Sequence, residues 1–348
     1  MKKKIWICII TVLILAVLII LFIFPSVRFV EKVEGAIPYN ENNSYILYSG
    51  SLLEISDKGI ITHYSFSDEN GRYEIQQKES IHLNYPVKKY ISWNSFITKD
   101  DEIMFGNLMG TEHKNLGTVK NAADVSISID NNHVLIRTAV VTSDGLLFVQ
   151  GDNSTGALGI EVKQVNNEFV QVPNLQNVVK AVCGINCILA LNADGEVFIS
   201  GTLGELSYQT FTKLDVPKKV KDISFSDSCE TVLVLDVKGN VYELGISYFV
   251  KDYYDNIFWS WNEVFYSSVH KISKLRNIVS IKNPVGFTAH AIDKYGNIFC
   301  WGAQTKSKTG ELKKIFYYIY GLPKHDKIWV SDYGCYILSN NKITAYLW

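Results

Sequence analysis

One phrase recurs along the 348 residues and constrains the fold more than any other feature: an apolar strand, a turn often ending in glycine, a second apolar strand, then often another glycine. The clearest copy is 178–206, VVKAVCGINCILALNADGEVFISGTLGEL. Others read VVTSDGLLFVQGDNSTGALG around Gly145, TVLVLDVKGNVYELG around Gly239 and AHAIDKYGNIFCWGAQTKSKTGEL around Gly296, with weaker copies around Gly59, Glu102 and Asn341. The gaps between these turn positions are 43, 43, 50, 44, 57 and 45 residues, so seven copies fill the chain from about residue 37 to its end. A repeat of this length is one supersecondary unit that cannot bury both of its faces alone and must stack on its neighbours.

The turns point to hairpins. Asp144-Gly145, Asp194-Gly195 and Lys238-Gly239 lie between apolar runs, which predicts two-residue type I′ turns with glycine taking a positive φ. Pro38, Pro86, Pro173, Pro217 and Pro323 precede their turns by 21, 16, 22, 22 and 18 residues, and mark loops or strand starts between units, since proline cannot donate to a central ladder. The 44 aromatic residues against seven Pro and three Met favour strands. Each unit has room for four short strands, and radial stacking leaves only short protected edges. The predicted fold class is all-β, a seven-bladed β-propeller preceded by one N-terminal transmembrane helix. A β-solenoid is the rival, disfavoured by its shorter rungs.

The transmembrane expectation rests on residues 5–24, in which only Thr11 is clearly polar, after Lys2, Lys3 and Lys4. A helix of that length spans about 30 Å, the thickness of the hydrocarbon core. The lysines stay inside, so the N-terminus is expected in the cytoplasm and the remainder on the exoplasmic side. The run is longer than a signal-peptide core and lacks a small-residue cleavage site, which favours an uncleaved anchor. The domain division is 1–24, cytoplasmic tip and anchor, and 25–348, propeller. Without residues 1–24 the chain carries 35 acids against 31 bases, a net of −4, which gives no electrostatic reason to expect nucleic acid or an anionic lipid surface as partner.

The repeat resembles that of the regulator of chromosome condensation family. Residues 181–187 with Leu189-Ala190-Leu191 match the first half of its motif, Cys187 standing where that family commonly has His. Residues 144–159, with Gly151, Asn153, Gly156, Leu158 and Gly159, match the second half, and 299–302 supply a Trp-Gly copy. The resemblance implies a seven-bladed propeller. It does not carry over nucleotide exchange on a small GTPase or chromatin binding, against which the outward topology and acidic balance argue. Bacterial members of the superfamily include secreted propellers that bind other proteins.

The last copy ends at Trp348, after its third strand. Residues 27–33, VRFVEKV, alternate Val27, Phe29, Glu31 and Val33 on one side. They are expected to pair with the C-terminal blade, so that 25–36 supply the outer strand that closes the ring; the competing reading makes 25–36 a plain stalk.

Motifs for nucleophilic, metal or phosphate chemistry are absent from the sequence. The histidines are scattered across units, and His290 reads as a core or inter-blade residue. Cys183 and Cys187 read as buried small apolar residues. The oxygen-rich loops 152–156 and 68–71 lack a calcium-loop pattern and read as turns. Lys218, Lys219 and Lys221, and Lys306 with Lys308, read as solvated turns. No catalytic residue, metal site or cofactor is predicted.

The 57-residue gap marks an insertion at 248–266, YFVKDYYDNIFWSWNEVFY, in which nine of nineteen residues are aromatic. Tyr253, Tyr254, Phe258, Trp259 and Trp261 are the candidate binding residues, since such rings give contact area at low entropy cost. The competing reading makes 258–261 an outer strand packed between blades; a third lets the rings dip into the bilayer interface. The function expected is non-enzymatic binding of another protein, or of a glycan, by a membrane-tethered propeller. The alternative is a propeller lyase or hydrolase with an axial active site built from two or three convergent His, Asp or Glu residues.

Overall fold

The computed structural model describes residues 27–48, 50–69, 72–130, 134–161, 166–226, 231–247, 264–282, 288–305, 312–331 and 334–348. They form seven sheets, antiparallel except where Val27–Phe29 joins one of them, arranged as a seven-bladed propeller, with no helix among the described residues. Residues 5–24, on which the transmembrane expectation rests, lie outside the described residues; among the described residues no helix is long and apolar enough to cross a membrane.

Each blade takes its strands in chain order from the axis outward. Blade one is Ser44–Tyr48, Ser51–Ile55, Ile60–Glu69 and Arg72–His82; blade two is Val87–Ser92, Ser95–Thr98, Glu102–Phe105 and Lys114–Thr118. Blade three is Ala122–Ile129, Leu135–Thr142, Leu147–Gly151 and Asn166–Gln171; blade four is Val178–Cys183, Cys187–Asn192, Val197–Leu203 and Leu206–Lys213. Blade five is Val220–Ser226, Thr231–Asp236, Val241–Ser247 and Val264–Lys271; blade six is Ile278–Lys282, Thr288–Asp293, Ile298–Thr305 and Leu312–Tyr320. Blade seven has Lys327–Val330, Gly334–Ser339 and Lys342–Leu347 of its own. The aromatic run 315–320 thus belongs to the outer strand of blade six.

The apolar core is divided among the blade interfaces. Second strands such as Cys187–Asn192 and Thr231–Asp236 are buried at every position, because both faces of a blade meet a neighbour. The two-residue alternation then sorts side chains between interfaces. Ile188 and Ala190 join Ala139, Val141 and Val149 of blade three; Cys187, Leu189 and Leu191 join Val232 and Val234 of blade five. Outer strands such as Leu206–Lys213 alternate between half-buried and exposed positions.

The turns between second and third strands depart from the predicted type. Thr142 N–H donates to Leu146 O and Gly145 N–H to Thr142 O, which encloses three residues, 143–145, rather than two. Gly145 takes a φ of 81°, whereas Asp144 is not among the residues with positive φ. This is a type I turn closed by a left-handed glycine bulge. The same bonds recur at 192–196, 236–240 and 293–297. The extra residue is accommodated because a side chain caps the loop: Thr142 Oγ1, Asn192 Oδ1, Asp236 Oδ1 and Asp293 Oδ1 each accept the N–H four residues on. In blade two the left-handed residue is Asp101, with a φ of 60°, one position before the expected Glu102. Asn340-Asn341, with φ of 52° and 57°, does form the two-residue turn, closing between Ser339 and Lys342.

These turns also latch the blades together. Gly145 O accepts from Val178 of the next blade, Gly195 O from Val220, and Gly239 O from Ile278. A Cβ on Gly145 would lie 2.9 Å from Asn177 Cα, so the latch needs glycine for its close approach as well as its φ.

The N-terminal segment stitches three blades. Val27–Phe29 runs parallel to Tyr318–Tyr320 of blade six, Glu31–Lys32 pairs antiparallel with Tyr346–Leu347 of blade seven, and Glu34 bridges Glu74 of blade one. Ile37–Pro38 then returns to Lys342–Ile343. The fourth-strand position of blade seven is therefore filled by 31–38, while 27–29 adds a fifth strand to blade six rather than joining the C-terminal blade. A single straight strand cannot do both, because the chain steps from one blade rim to the next at Val30, which packs beside Gly321.

Candidate functional site

The strand order gives the disc two distinct faces. One, the turn face, carries the second-to-third-strand turns and the linkers that enter each inner strand. The opposite, loop face carries the first-to-second and third-to-fourth connections. The insertion joins the third and fourth strands of blade five and so leaves from the loop face. Tyr253, Tyr254, Phe258, Trp259 and Trp261 lie outside the described residues. Their place of departure is described: Ser247 and Val264 are direct register partners, so the ladder of blade five closes at the base of the insertion. Beyond that base Phe265 reaches blade four, its ring edge 2.4 Å from where a Cβ on Gly204 would sit.

On the same face, 152–160 forms a staple from blade three onto blade four. Asn153 Oδ1 accepts Leu158 N–H at 2.8 Å, and its Nδ2 donates to Ile160 O at 3.2 Å. Thr155 Oγ1 donates to Asn186 O at 3.1 Å, and Ser200 Oγ to Ala157 O at 2.5 Å. Arg137, 1% exposed, braces it, donating Nε to Asp152 O at 2.9 Å and Nη1 to Gly184 O at 3.1 Å, with Nη2 3.4 Å from Asp152 Oδ2. Burial works against ionisation of Asp152, but Ser154 N–H and hydroxyl and then Arg137 outweigh it and hold its carboxyl below the usual range. The side chains of Asp152 and Asn153 are thus engaged within the loop itself, by Ser154, Leu158 and Ile160, which is turn chemistry. Arg137 occupies the repeat position of Cys187, a correspondence that the eight-residue spacing to Gly145 and Gly195 displays in the sequence.

Around the axis the inner strands are clasped by ion pairs between neighbouring blades. Lys89 Nζ donates to Ala123 O at 2.8 Å and lies 3.1 Å from Asp124 Oδ1; Lys180 Nζ lies 2.6 Å from Asp222 Oδ1 and donates to Ile223 O at 2.7 Å. Lys282, at the end of its inner strand, has its ammonium pKa pushed down by burial and then by Lys180, with Asp222 acting the other way. Each inner-strand aspartate is therefore matched by a lysine of the preceding blade. No histidine lies on an inner strand among the described residues.

His290 is fully buried on the second strand of blade six, alternating with Ala289 and Ala291, which face blade five. Its ring nitrogens have no hydrogen-bond partner among the described residues, and burial pushes its pKa down to about 3. It is a neutral packing residue. Cys183, Cys187, Cys300 and Cys335 are buried free thiols; Cys183 N–H donates to Ser126 Oγ at 2.9 Å, tying two inner strands. Among the described residues no group of three His, Cys, Asp or Glu could hold a metal ion.

No protein-family model matches this sequence. A curated relative, the serine/threonine-protein kinase Nek9 of Mus musculus, is 26% identical over 197 residues, covering 50% of this chain and 20% of the kinase, so the chain spans about a fifth of that relative's length. Human WBSCR16 superposes with a TM-score of 0.59 at 13% identity, covering 88% of this chain and 87% of that one. Prp20p from Saccharomyces cerevisiae superposes with a TM-score of 0.57 at 13% identity, covering 87% and 81%, and yeast RCC1 (Prp20) in its complex with Kap60 with 0.56 at 12%, covering 87% and 80%. The chain has the fold of these RCC1-like seven-bladed propellers.

Proposed function

We propose that this propeller is a non-enzymatic binding module, tethered to the cell membrane through residues 5–24 with its N-terminus cytoplasmic, and that it captures another protein on the exoplasmic side. The observation that carries the binding reading is the pairing of Ser247 with Val264: nineteen residues rich in aromatics begin at a rigid ladder, and sixteen of them are spliced into a loop-face connection without breaking the blade. Rigid support under adaptable aromatic contacts is what protein recognition uses. Proteins of the same fold bind proteins: the Prp20p structure is described with binding to Gsp1p and histones, and yeast RCC1 is bound to Kap60. The tether rests on the uninterrupted apolar run and the three lysines before it.

The test is crosslinking in intact cells, followed by mass spectrometry of what the propeller touches, in wild type and in the double variant Trp259→Ala/Trp261→Ala. Loss of a reproducible protein adduct with an unchanged melting temperature supports the reading. A variant that melts early, or an adduct set that is unchanged or purely glycan, overturns it. Labelling of an engineered surface cysteine by an impermeant maleimide decides the side of the membrane independently.

A further inference from the structure

The net charge of the outer part hides a strong asymmetry on the turn face. In blades five and six the entering linkers, first two inner-strand residues and turns occupy 214–221, 237–239, 272–279 and 294–296. The linker and strand start of blade five bring Lys218, Lys219 and Lys221, all exposed, and its turn brings Lys238. Blade six adds Lys274 and Arg276 from its linker and Lys294 from its turn, against one exposed acid, Asp215. The corresponding segments of blades one to four carry four lysines against six acids.

These segments are contiguous. Val237 N–H donates to Lys219 O, Ile278 N–H to Gly239 O and Lys294 N–H to Asn277 O; Lys221 Nζ reaches Val279 O at 3.1 Å. Asp236 and Asp293, the acids nearest the turns, are buried and spent on capping them. Apolar groups are exposed within the same sector: Val237 at 54%, Val279 at 42% and Tyr295 at 72%. Among the described residues six large hydrophobics are exposed, and three of them fall here.

We propose that this basic, aliphatic-studded sector of the turn face docks an acidic segment of a partner protein, one that interleaves carboxylates with apolar side chains. The inference goes beyond the reading above, because it uses the opposite face from the aromatic insertion and none of its residues. Charge complementarity selects the partner class. A flat anionic bilayer would have to meet the whole face, half of which carries excess acid; a chain segment lies on the basic half alone. The strand Val27–Phe29 also runs in the same sense as the outer strand of blade six, toward the turn face, so an attachment before Val27 approaches from the rim or the loop face.

The test uses the full-length protein in zwitterionic detergent and a fluorescent peptide of alternating glutamate and leucine, read by anisotropy. Wild type binds it, and affinity falls as salt rises from about 50 to 300 mM. Lys238→Glu/Arg276→Glu/Lys294→Glu weakens binding about tenfold or more. Lys58→Glu/Lys120→Glu, on the acidic half, leaves it unchanged, as does Trp259→Ala/Trp261→Ala. Tyr295→Ser weakens the glutamate–leucine peptide more than an all-glutamate one. Equal loss in the Lys58/Lys120 control, indifference to charge reversal, or stronger capture of phosphatidylglycerol vesicles or of a single-stranded oligonucleotide than of the peptide overturns the proposal. Loss confined to the tryptophan variant would support the insertion and sink this site.

Discussion

Glu31 and Leu347 are direct partners in an antiparallel pair, and through them the start of the propeller completes the blade with which the chain ends. Val33 continues the seam, its N–H donating to Ala345 O at 2.9 Å and its side chain fully buried beside Ile37 and Ile343. Val33→Pro removes that bond and disturbs the interface, and should lower stability by about 2–4 kcal/mol, read as the midpoint of urea unfolding. An unchanged midpoint would show that the ring does not depend on this strap.

Arg137 should be irreplaceable by lysine. Its guanidinium satisfies Asp152 O, Gly184 O and the Asp152 carboxylate from one buried position, and a lysine has no fork to span them. Arg137→Lys and Arg137→Ala should both destabilise, by about 2–4 kcal/mol, toward the lower end because the Asp152 carboxylate is partly open to water. Full retention of stability in the lysine variant would contradict the bracing role.

Asp236 gives an acid-side prediction. Its oxygens accept Lys238 N–H, Asn240 N–H, Asn240 Nδ2 and the Tyr242 hydroxyl. Burial raises its pKa, yet these bonds, those of Asn240 foremost, outweigh burial and leave it below the usual aspartate range. A depressed folded-state pKa contributes stability that is complete above about pH 4 and fades as pH falls through the folded value. Asp236→Asn should flatten that acid-side loss at modest cost, since Asn192 does the same task in blade four, whereas Asp236→Ala should lose about 1–3 kcal/mol at neutral pH. Melting temperature against pH for the three proteins checks it; identical slopes would reject the assignment.

Tyr45 and Tyr64 predict an alkaline transition. Their hydroxyls donate to Glu54 at 2.8 and 3.0 Å. Burial and then the charge of Glu54 push Tyr64 up to about 12, and burial raises Tyr45 as well. Folded-state values above the unfolded value of about 10 contribute stability that is whole below that pH and lost as pH climbs toward 12. Phenolate absorbance should therefore show tyrosines that ionise late, and Glu54→Gln should bring Tyr64 down. Titration of every tyrosine near its ordinary value in folded protein would exclude the cluster.

Much of the architecture is legible in the repeat. The turn positions alone place the second and third strands of five blades, since 59, 145, 195, 239 and 296 are the left-handed glycines of those turns, and they fall within one residue of the turn in blades two and seven. The turn type is not legible: whether Asp-Gly closes two residues or three depends on a side-chain cap three positions earlier, and Thr142, Asn192 and Asp236 differ too much in the sequence to announce a common role. The bracing by Arg137 is hidden because its partners, Asp152 and Gly184, lie on different blades. The candidate binding residues rest on composition and an irregular gap, which locate an insertion without orienting its side chains.

Hydrophobic alternation and turn spacing are local properties, set by which backbone conformations a few adjacent residues tolerate and which side chains avoid water, and the linear sequence determined both. The path of 27–38 across three blade rims depends instead on how the ring closes, and the gathering of seven cations onto one sector on how blades five and six pack, which brings segments more than fifty residues apart onto a common surface. Only the packed disc decided those.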